Sequence, residues 1–376
     1  MDPATGGTAE FVRCLSTVWH EQGNTVEVVC LDRPESPWLT DTAFRQTGLG
    51  GGHYPIGFAP RLKKWLLARA HGVDAMIVHG LWQYPGIAAR AVAILTGIPY
   101  FVYPHGMLDP WFNQQFPLKR IKKQLFWWWR QYAVLRDARA VFFTCERERE
   151  LAQNVFFPWS LSAVTTAFGT RQPPVVSSSE NAFWDKYGAQ LTRHFVLFLG
   201  RIAPKKGVDL LIDAWLKAPL TGRSLVIAGS AADMDWYASL QKKASASGGN
   251  ILFTGPLYGD EKWGAFSAAE VFILPSHQEN FGIAVAESLG CGCPVIVSDG
   301  VNIAADIVDA GAGIMISATI EGIHEGFARW EDLSNEARAS MCTAAQRTFK
   351  ERYAIEQVAY ELMEKLELSK KTDGMP

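Results

Sequence analysis

Pro275-Ser-His-Gln-Glu279-Asn-Phe-Gly282-Ile283-Ala-Val-Ala-Glu287-Ser-Leu-Gly290 joins a strand end, a glycine-bearing loop and a helix start, with two carboxylates eight residues apart. The apolar residues before it, Val271-Phe-Ile-Leu274, are stopped by Pro275 and read as a buried parallel strand. Ile283 to Leu289 reads as a helix bracketed by Gly282 and Gly290. A helix N-terminus presents unpaired N–H groups and partial positive charge, which suits a phosphate. Glu287 falls one turn beyond Ile283, on the same face, where a carboxylate could accept both hydroxyls of a ribose. Glu279 lies in the loop ahead of the helix and could hold a second hydroxyl-bearing group. The layout suggests a nucleotide-sugar site.

Outward from this stretch, short apolar runs alternate with helix-length spacers. In the first half, Gly7 to Gln22 carries Phe11, Val12, Leu15, Val18 and Trp19 at helical spacing and ends at Gly23. Candidate strands follow at Val26–Leu31, Ala75–Val78, Tyr100–Tyr103 and Ala140–Thr144. A Pro/Ser-rich break, Gln172 to Ser179, precedes a second series at Phe195–Leu199, Leu225–Ala228, Ile251–Thr254, Val271–Leu274 and Pro294–Val297. Two such runs spell an α/β protein of two doubly wound, Rossmann-like domains, in which ligands bind at the carboxyl ends of strands. We place the domains at 1–170 and 171–355, with a C-terminal helix and tail at 356–376 that could pack back on the first. Gly6-Gly7 looks like the loop after a first strand, yet only five residues precede it. A doubly wound sheet has its first strand at the centre, so the sequence reads as if that strand lay upstream of Met1; a rearranged sheet edge is the alternative.

With 376 residues the chain is long enough for two cores. Hydrophobic content of 48% and charged content of 20% argue against disorder, and a net charge of −2 gives no bulk electrostatic case for nucleic acid. The six cysteines are scattered, and Cys291-Gly-Cys293 has no second pair to complete a zinc site, so the thiols read as core residues in a reducing compartment. No signal peptide or apolar run of transmembrane length is evident in the sequence, and we expect a cytoplasmic protein.

Gly200-Arg201-Ile-Ala-Pro204-Lys205-Lys206-Gly207 follows the first strand of the second half. Arg201 can fork two phosphate oxygens and Lys206 adds a point charge, so the pair could neutralise a diphosphate leaving group; alone, it would read as a solvated basic loop. Gly200-Arg201 and Lys206-Gly207, with Glu279-x₇-Glu287 around Phe281-Gly282, resemble the family-4 retaining glycosyltransferases of GT-B fold. The likeness runs on through Leu225-Val-Ile-Ala-Gly229, Phe253-Thr-Gly255, Leu274-Pro-Ser276 and Pro294-Val-Ile. It is thinner in the first half, at Gly6-Gly7, Pro104-His105-Gly106-Met107 and Thr144-Cys-Glu146.

That resemblance implies two domains facing each other across a cleft, with a nucleotide diphosphate sugar bound mainly on the second. Glu287 would hold the ribose, Arg201 and Lys206 the diphosphate, and the backbone of Phe281, Gly282 and Ile283 the phosphate and sugar. Glu279 would contact the transferred sugar, and Gly255 and Leu257 would flank the base. Gly6 and Gly7 would admit the first-domain backbone to the diphosphate, and His105 would lie near the anomeric carbon and the acceptor. The implied reaction is metal-independent glycosyl transfer with retention, requiring no cofactor, to a glycan or lipid-linked acceptor in polysaccharide or glycolipid synthesis. The competing readings are a nucleotide-sugar epimerase on the same scaffold, and a catalytically silent subunit that binds a partner transferase.

Four further features bear on this reading. His79, with Gly80-Leu-Trp82, occupies a strand end like that of His105 and suits an acceptor pocket or a structural role equally. Asp233-Met-Asp235 has the look of a metal motif, but Asp233 opens a helix and is more simply its cap. Residues 119–130 combine cations with Trp127-Trp-Trp129 on one helix, a surface that could lie on an anionic membrane, at the inner face for a cytoplasmic protein; Leu125 and some of the tryptophans facing the core is the alternative. Ala167-Phe168-Gly169 departs from the family, where an Asn-Gly turn is usual, which leaves the local hinge conformation open.

Overall fold

The computed structural model describes residues 1–2, 6–40, 42–52, 56–111, 115, 117–174, 179–246, 248 and 250–371. The chain divides into two compact units, one of Met1–Phe168 with Ile355–Pro376 and one of Gly169–Ala354.

The first unit opens with α1 (Gly7–Glu21), whose Phe11, Val12, Leu15, Val18 and Trp19 are all buried, as their helical spacing requires. There follow β1 (Glu27–Cys30), β2 (Arg45–Gly48), α2 (Pro60–Arg69), β3 (Met76–His79), α3 (Tyr84–Thr96) and β4 (Tyr100–Tyr103). Next come α4 (Pro117–Phe126), a π-helical turn (Trp127–Gln131), α5 (Tyr132–Arg136), β5 (Ala140–Phe143), α6 (Glu146–Ala152) and β6 (Ala163–Thr165). Strands β3, β4, β5 and β6 form one parallel sheet in that order, whereas β1 and β2 form a separate parallel pair. β1 and β3 lie in different sheets, which agrees with the expectation that the neighbours of an absent central strand are left unpaired. Residues 3–5, next to the expected first strand, lie outside the described residues. Two strands escape sequence reading for physical reasons: β2 is Arg45-Gln-Thr-Gly48, with no apolar run, and β6 has three residues.

The second unit carries α7 (Ser179–Tyr187), β7 (His194–Leu199), α8 (Val208–Lys217), β8 (Arg223–Ala228), α9 (Met234–Ala246), β9 (Ile251–Gly255) and α10 (Gly259–Ala268). It continues with β10 (Val271–Leu274), α11 (Ile283–Gly290), β11 (Val295–Ser298), α12 (Ala304–Asp309), β12 (Gly313–Ile316), α13 (Ile320–Glu331) and α14 (Asn335–Thr348). Its six strands are all parallel and run β12-β11-β10-β7-β8-β9. The winding direction therefore reverses between β7 and β10, where Val196 pairs with Val271 and Leu197 with Phe272. Val196, Leu197, Phe198, Phe272 and Ile273 are fully buried, which is why these strands read as unbroken apolar runs. The last helix, α15 (Ile355–Lys371), belongs to the first unit. There the Trp19 indole N–H donates to the Ala359 carbonyl at 3.1 Å, and Lys365 Nζ donates to the Thr165 carbonyl at 2.7 Å.

Glu270, just ahead of β10, ties the second unit together. Its carboxylate accepts from Arg223 Nε at 2.6 Å, Arg338 Nη1 at 2.9 Å and the Trp330 indole at 3.0 Å, linking β8, α13 and α14. Burial opposes its charge, but the hydrogen bonds from Arg223 and Trp330 and the two guanidinium charges hold its pKa below the ordinary value of 4.5. A depressed carboxylate stabilises the fold fully above its unfolded pKa and loses that contribution as pH falls below it. We expect Glu270→Gln to cost roughly 2–3 kcal/mol in urea unfolding at pH 7. The deficit should shrink as pH falls below 4.5 toward the folded pKa; an equal deficit throughout that range would contradict the assignment.

Candidate functional site

In the second unit the site grows from the two strands at the switch point. After β7 the chain passes through Gly200-Arg201, and Ile202 N–H donates to the Ser230 carbonyl at 2.8 Å. A single 3₁₀ turn, Pro204–Lys206, then leads to Gly207, which has φ of 66°. A side chain at Gly207 would collide with the Pro275 carbonyl, so only glycine lets this turn sit against the end of β10. His277 N–H donates to the Lys205 carbonyl at 2.9 Å and fastens the two segments together. The consequence is an ion pair between Lys206 Nζ and Glu279, both largely buried. The sequence suggested these two for different parts of a donor; the fold puts them in contact. Arg201 stands exposed beside them in sequence.

The backbone of Glu279 is itself clamped. Its N–H donates to the Gly300 carbonyl at 2.8 Å, and its carbonyl accepts from Asn302 N–H at 3.0 Å. Phe281 is buried and meets Tyr353 edge to face, with ring centroids 5.3 Å apart. Gly282, with φ of 78°, caps α11, and its carbonyl accepts from Val285 and Ala286 N–H. The first N–H groups of α11, at Ile283 and Ala284, have no acceptor within the helix, which is the general condition under which a helix terminus suits an anion. One turn on, Glu287 is buried, and its Oε1 lies 2.7 Å from Lys262 Nζ of α10. Lys262 has no motif around it, and sequence reading missed it. Gly255, with φ of 73°, ends β9 and accepts from Gly229 N–H at 2.9 Å, and Leu257 is buried. Asp233 accepts from the N–H groups of Asp235 and Trp236, both at 3.0 Å, which is the geometry of a helix cap.

In the first unit, Gly6 caps α1 with φ of 99° and Gly7 is the first residue of that helix. His105 follows β4 with φ of 50°, an uncommon conformation for a side-chain-bearing residue. Its Nε2 lies 3.0 Å from His79 Nδ1, so one ring donates and the other accepts. His79, Tyr103 and His105 stack on one another with centroids 5.2–5.3 Å apart. Phe168 stacks on Phe11 at 4.0 Å and meets His105 edge-on at 5.6 Å, which gives the departure from the family at this position a packing role. Glu148, also missed in the sequence, is buried and accepts from Gly106 N–H at 2.6 Å and from Thr144 N–H and Oγ1, both at 2.7 Å. It thereby fixes the loop that carries His105.

Close packing disfavours the imidazolium at both rings. Burial lowers His79 to about 4; burial, and then the charge on His79, lower His105 well below 6.5. Both are therefore neutral near pH 7. The unfolded chain binds more protons than the folded one between about 4 and 6.5, so stability is full above 6.5 and falls as pH drops toward 4. His79 alone corresponds to about 3 kcal/mol across that range. We expect thermal melting of wild type to weaken between pH 7 and 5, and His79→Phe, which keeps the stack, to weaken less. Identical pH profiles would remove the buried-imidazole explanation.

Two family profiles match this chain: Glycosyl transferase 4-like domain over residues 6–165 and Glycosyl transferases group 1 over residues 180–348. Among curated relatives, a D-inositol 3-phosphate glycosyltransferase of Xylanimonas cellulosilytica is 26% identical over 204 residues, 52% of this chain and 48% of the relative. A GDP-mannose-dependent alpha-mannosyltransferase of Mycobacterium tuberculosis is 27% identical over 62% of this chain and 58% of its own length. This chain thus spans about half to three-fifths of these two relatives. Among solved structures, Anabaena HepE in complex with UDP-glucose superposes with a TM-score of 0.76 at 17% identity, covering 96% of each chain. Sucrose-phosphate synthase from Thermosynechococcus elongatus gives a TM-score of 0.73 at 17% identity, over 96% of this chain and 92% of its own. With its strand order, its clamped glutamate loop and both profile matches in hand, the chain belongs to the family-4 glycosyltransferases of GT-B fold.

Proposed function

We propose that this protein moves a sugar from a nucleotide diphosphate sugar to a glycan or lipid-linked acceptor, with retention at the anomeric carbon and without a metal. The observation that carries the reading is the Lys206–Glu279 pair at the switch point, next in sequence to a helix N-terminus and to Glu287 one turn along that helix. An ammonium has three N–H donors, so Lys206 can hold Glu279 with one and a phosphate oxygen with another. As the glycosidic bond breaks, the diphosphate gains charge. Fixed cations at Arg201 and Lys206 and the N–H groups of α11 then stabilise the transition state more than the ground state. Glu279 is assigned to the hydroxyls of the transferred sugar and Glu287 to the ribose. A neutral His105 suits a hydrogen-bonding role at the reacting sugar. The departing diphosphate oxygen can take the acceptor proton, which yields attack on the same face. The names of the relatives support this donor class.

A screen of UDP-, GDP- and ADP-sugars for hydrolysis and transfer tests the reading, with NMR of the product reporting the anomeric configuration. We expect turnover to survive EDTA. Lys206→Met should raise the barrier by about 2–4 kcal/mol in a water-excluded site. Glu287→Ala should weaken binding of free nucleoside diphosphate, whereas Glu279→Ala should lower turnover and leave that binding largely intact. Wild-type behaviour in all three variants would refute the site, and inversion at the anomeric carbon would refute the mechanism.

The acceptor side of the proposal rests on α4 and the turn after it. Trp127 is buried, but Leu118, Ile121, Leu125, Trp128 and Trp129 are exposed, and they recur at helical spacing. Phe157, from the loop after α6, is exposed too, and Trp128 donates to its carbonyl at 2.6 Å. Lys119, Arg120, Lys122, Lys123 and Arg130 flank this stripe, with no carboxylate between 117 and 131. Among the described residues no helix is long and apolar enough to cross a membrane. Such a surface suits adsorption to anionic lipid, near a lipid-linked acceptor. Vesicles containing phosphatidylglycerol should sediment the wild type and release Trp128→Ser/Trp129→Ser; equal sedimentation of both proteins would rule this surface out.

A further inference from the structure

We propose that Lys262 is a positioning residue of the donor site, holding Glu287 so that it selects a ribonucleotide over a deoxyribonucleotide. The inference rests on the assignment of Glu287 to the ribose. Helix α11 buries mainly apolar side chains, Val285, Ala286 and Leu289, beside Ser288, whose hydroxyl donates to the Cys293 carbonyl at 3.0 Å, and the Glu287 side chain is 8% exposed. A carboxylate so enclosed takes up a proton or turns away unless a cation meets it. Lys262 supplies that cation at 2.7 Å from Oε1, with its own side chain 23% exposed. A second contact steadies the ammonium, which lies 4.1 Å from the centroid of the Trp263 ring. The neighbouring residue on α10 behaves differently: Glu261 pairs with Lys186, where the side chains are 33% and 54% exposed. Helix α10 therefore carries one ordinary surface pair and, one residue on, one enclosed pair directed at α11.

The pair matters for chemistry because an ionised carboxylate only accepts hydrogen bonds. A ribose presents two hydroxyl donors, and a carboxylate held ionised in one rotamer can take both. A protonated or rotated Glu287 would take fewer and would discriminate less between ribose and deoxyribose. Lys262 sits in the first turn of α10, where its backbone N–H donates to the carbonyl of Tyr258, the N-cap residue that follows the Gly255–Leu257 segment assigned to the base.

The test is calorimetric titration of UDP, GDP and ADP, each beside its 2′-deoxy and 3′-deoxy form, into wild type, Lys262→Met, Lys262→Arg and Glu287→Gln. Wild type should bind the preferred ribonucleotide roughly tenfold more tightly than its deoxy forms, about the worth of one hydrogen bond to a charged group. Lys262→Met should lose most of that ratio, and Lys262→Arg should restore it. The ratio is a property of folded molecules, so a partly unfolded variant still reports it. Intact discrimination in Lys262→Met, with discrimination lost in Glu287→Gln, would overturn the role of Lys262 alone. Intact discrimination in Glu287→Gln would overturn the ribose assignment itself.

Discussion

The parallel pairing of β7 with β10 is the constraint on which the candidate site depends. These strands are far apart in sequence, yet Val196 and Leu197 lie beside Val271 and Phe272 in the middle of the sheet. The connections on the two sides leave in opposite directions, which in such sheets opens a crevice at the carboxyl ends of the strands. Two loops meet there instead, one bearing Arg201 and Lys206 and the other Glu279. Gly207 makes the meeting close enough to matter: any larger residue would push the basic turn away from the Pro275 carbonyl. The Lys206–Glu279 contact follows from this approach.

Three carboxylates of the second unit are handled in the same manner. Glu270, Glu279 and Glu287 are each removed from bulk water, and each is met by a cation from a different element. An enclosed carboxylate without such a partner is costly, and with one it is fixed in a single orientation. At Glu270 the result is structural, since two guanidinium groups and an indole bind three elements to one point. At Glu279 and Glu287 the same physics leaves oriented acceptors beside a helix N-terminus. In the first unit a buried carboxylate, Glu148, is met by backbone N–H groups and holds the loop of His105, and burial keeps the imidazoles uncharged.

Much of this was legible in the chain. Strands β7, β8, β10 and β11 of the second unit are largely buried on both faces, so they appear as apolar runs, as does the half-buried β9, and only β12, which opens on Gly313 and exposes Met315, escaped. The motif of Glu279 and Glu287 was visible because both residues belong to one local loop–helix segment. Lys262, Glu148 and the contact of His79 with His105 were not visible. Each depends on a partner 25, 42 or 26 residues away, and nothing in the local pattern names that partner. β2 and β6 belong to the same class: a polar four-residue strand and a three-residue one acquire meaning only through the strands they pair with.

By itself the sequence determined two α/β units, the identity of the acidic and basic residues at the strand ends, and the helix terminus between Glu279 and Glu287, because periodicity, glycine placement and helix geometry are local. Only the tertiary structure decided that Lys206 meets Glu279, that Lys262 meets Glu287, and that β1 pairs with β2. Those outcomes depend on which carboxyl ends the sheet order brings together and on how closely the backbones can approach, and no property of a short window of sequence contains either.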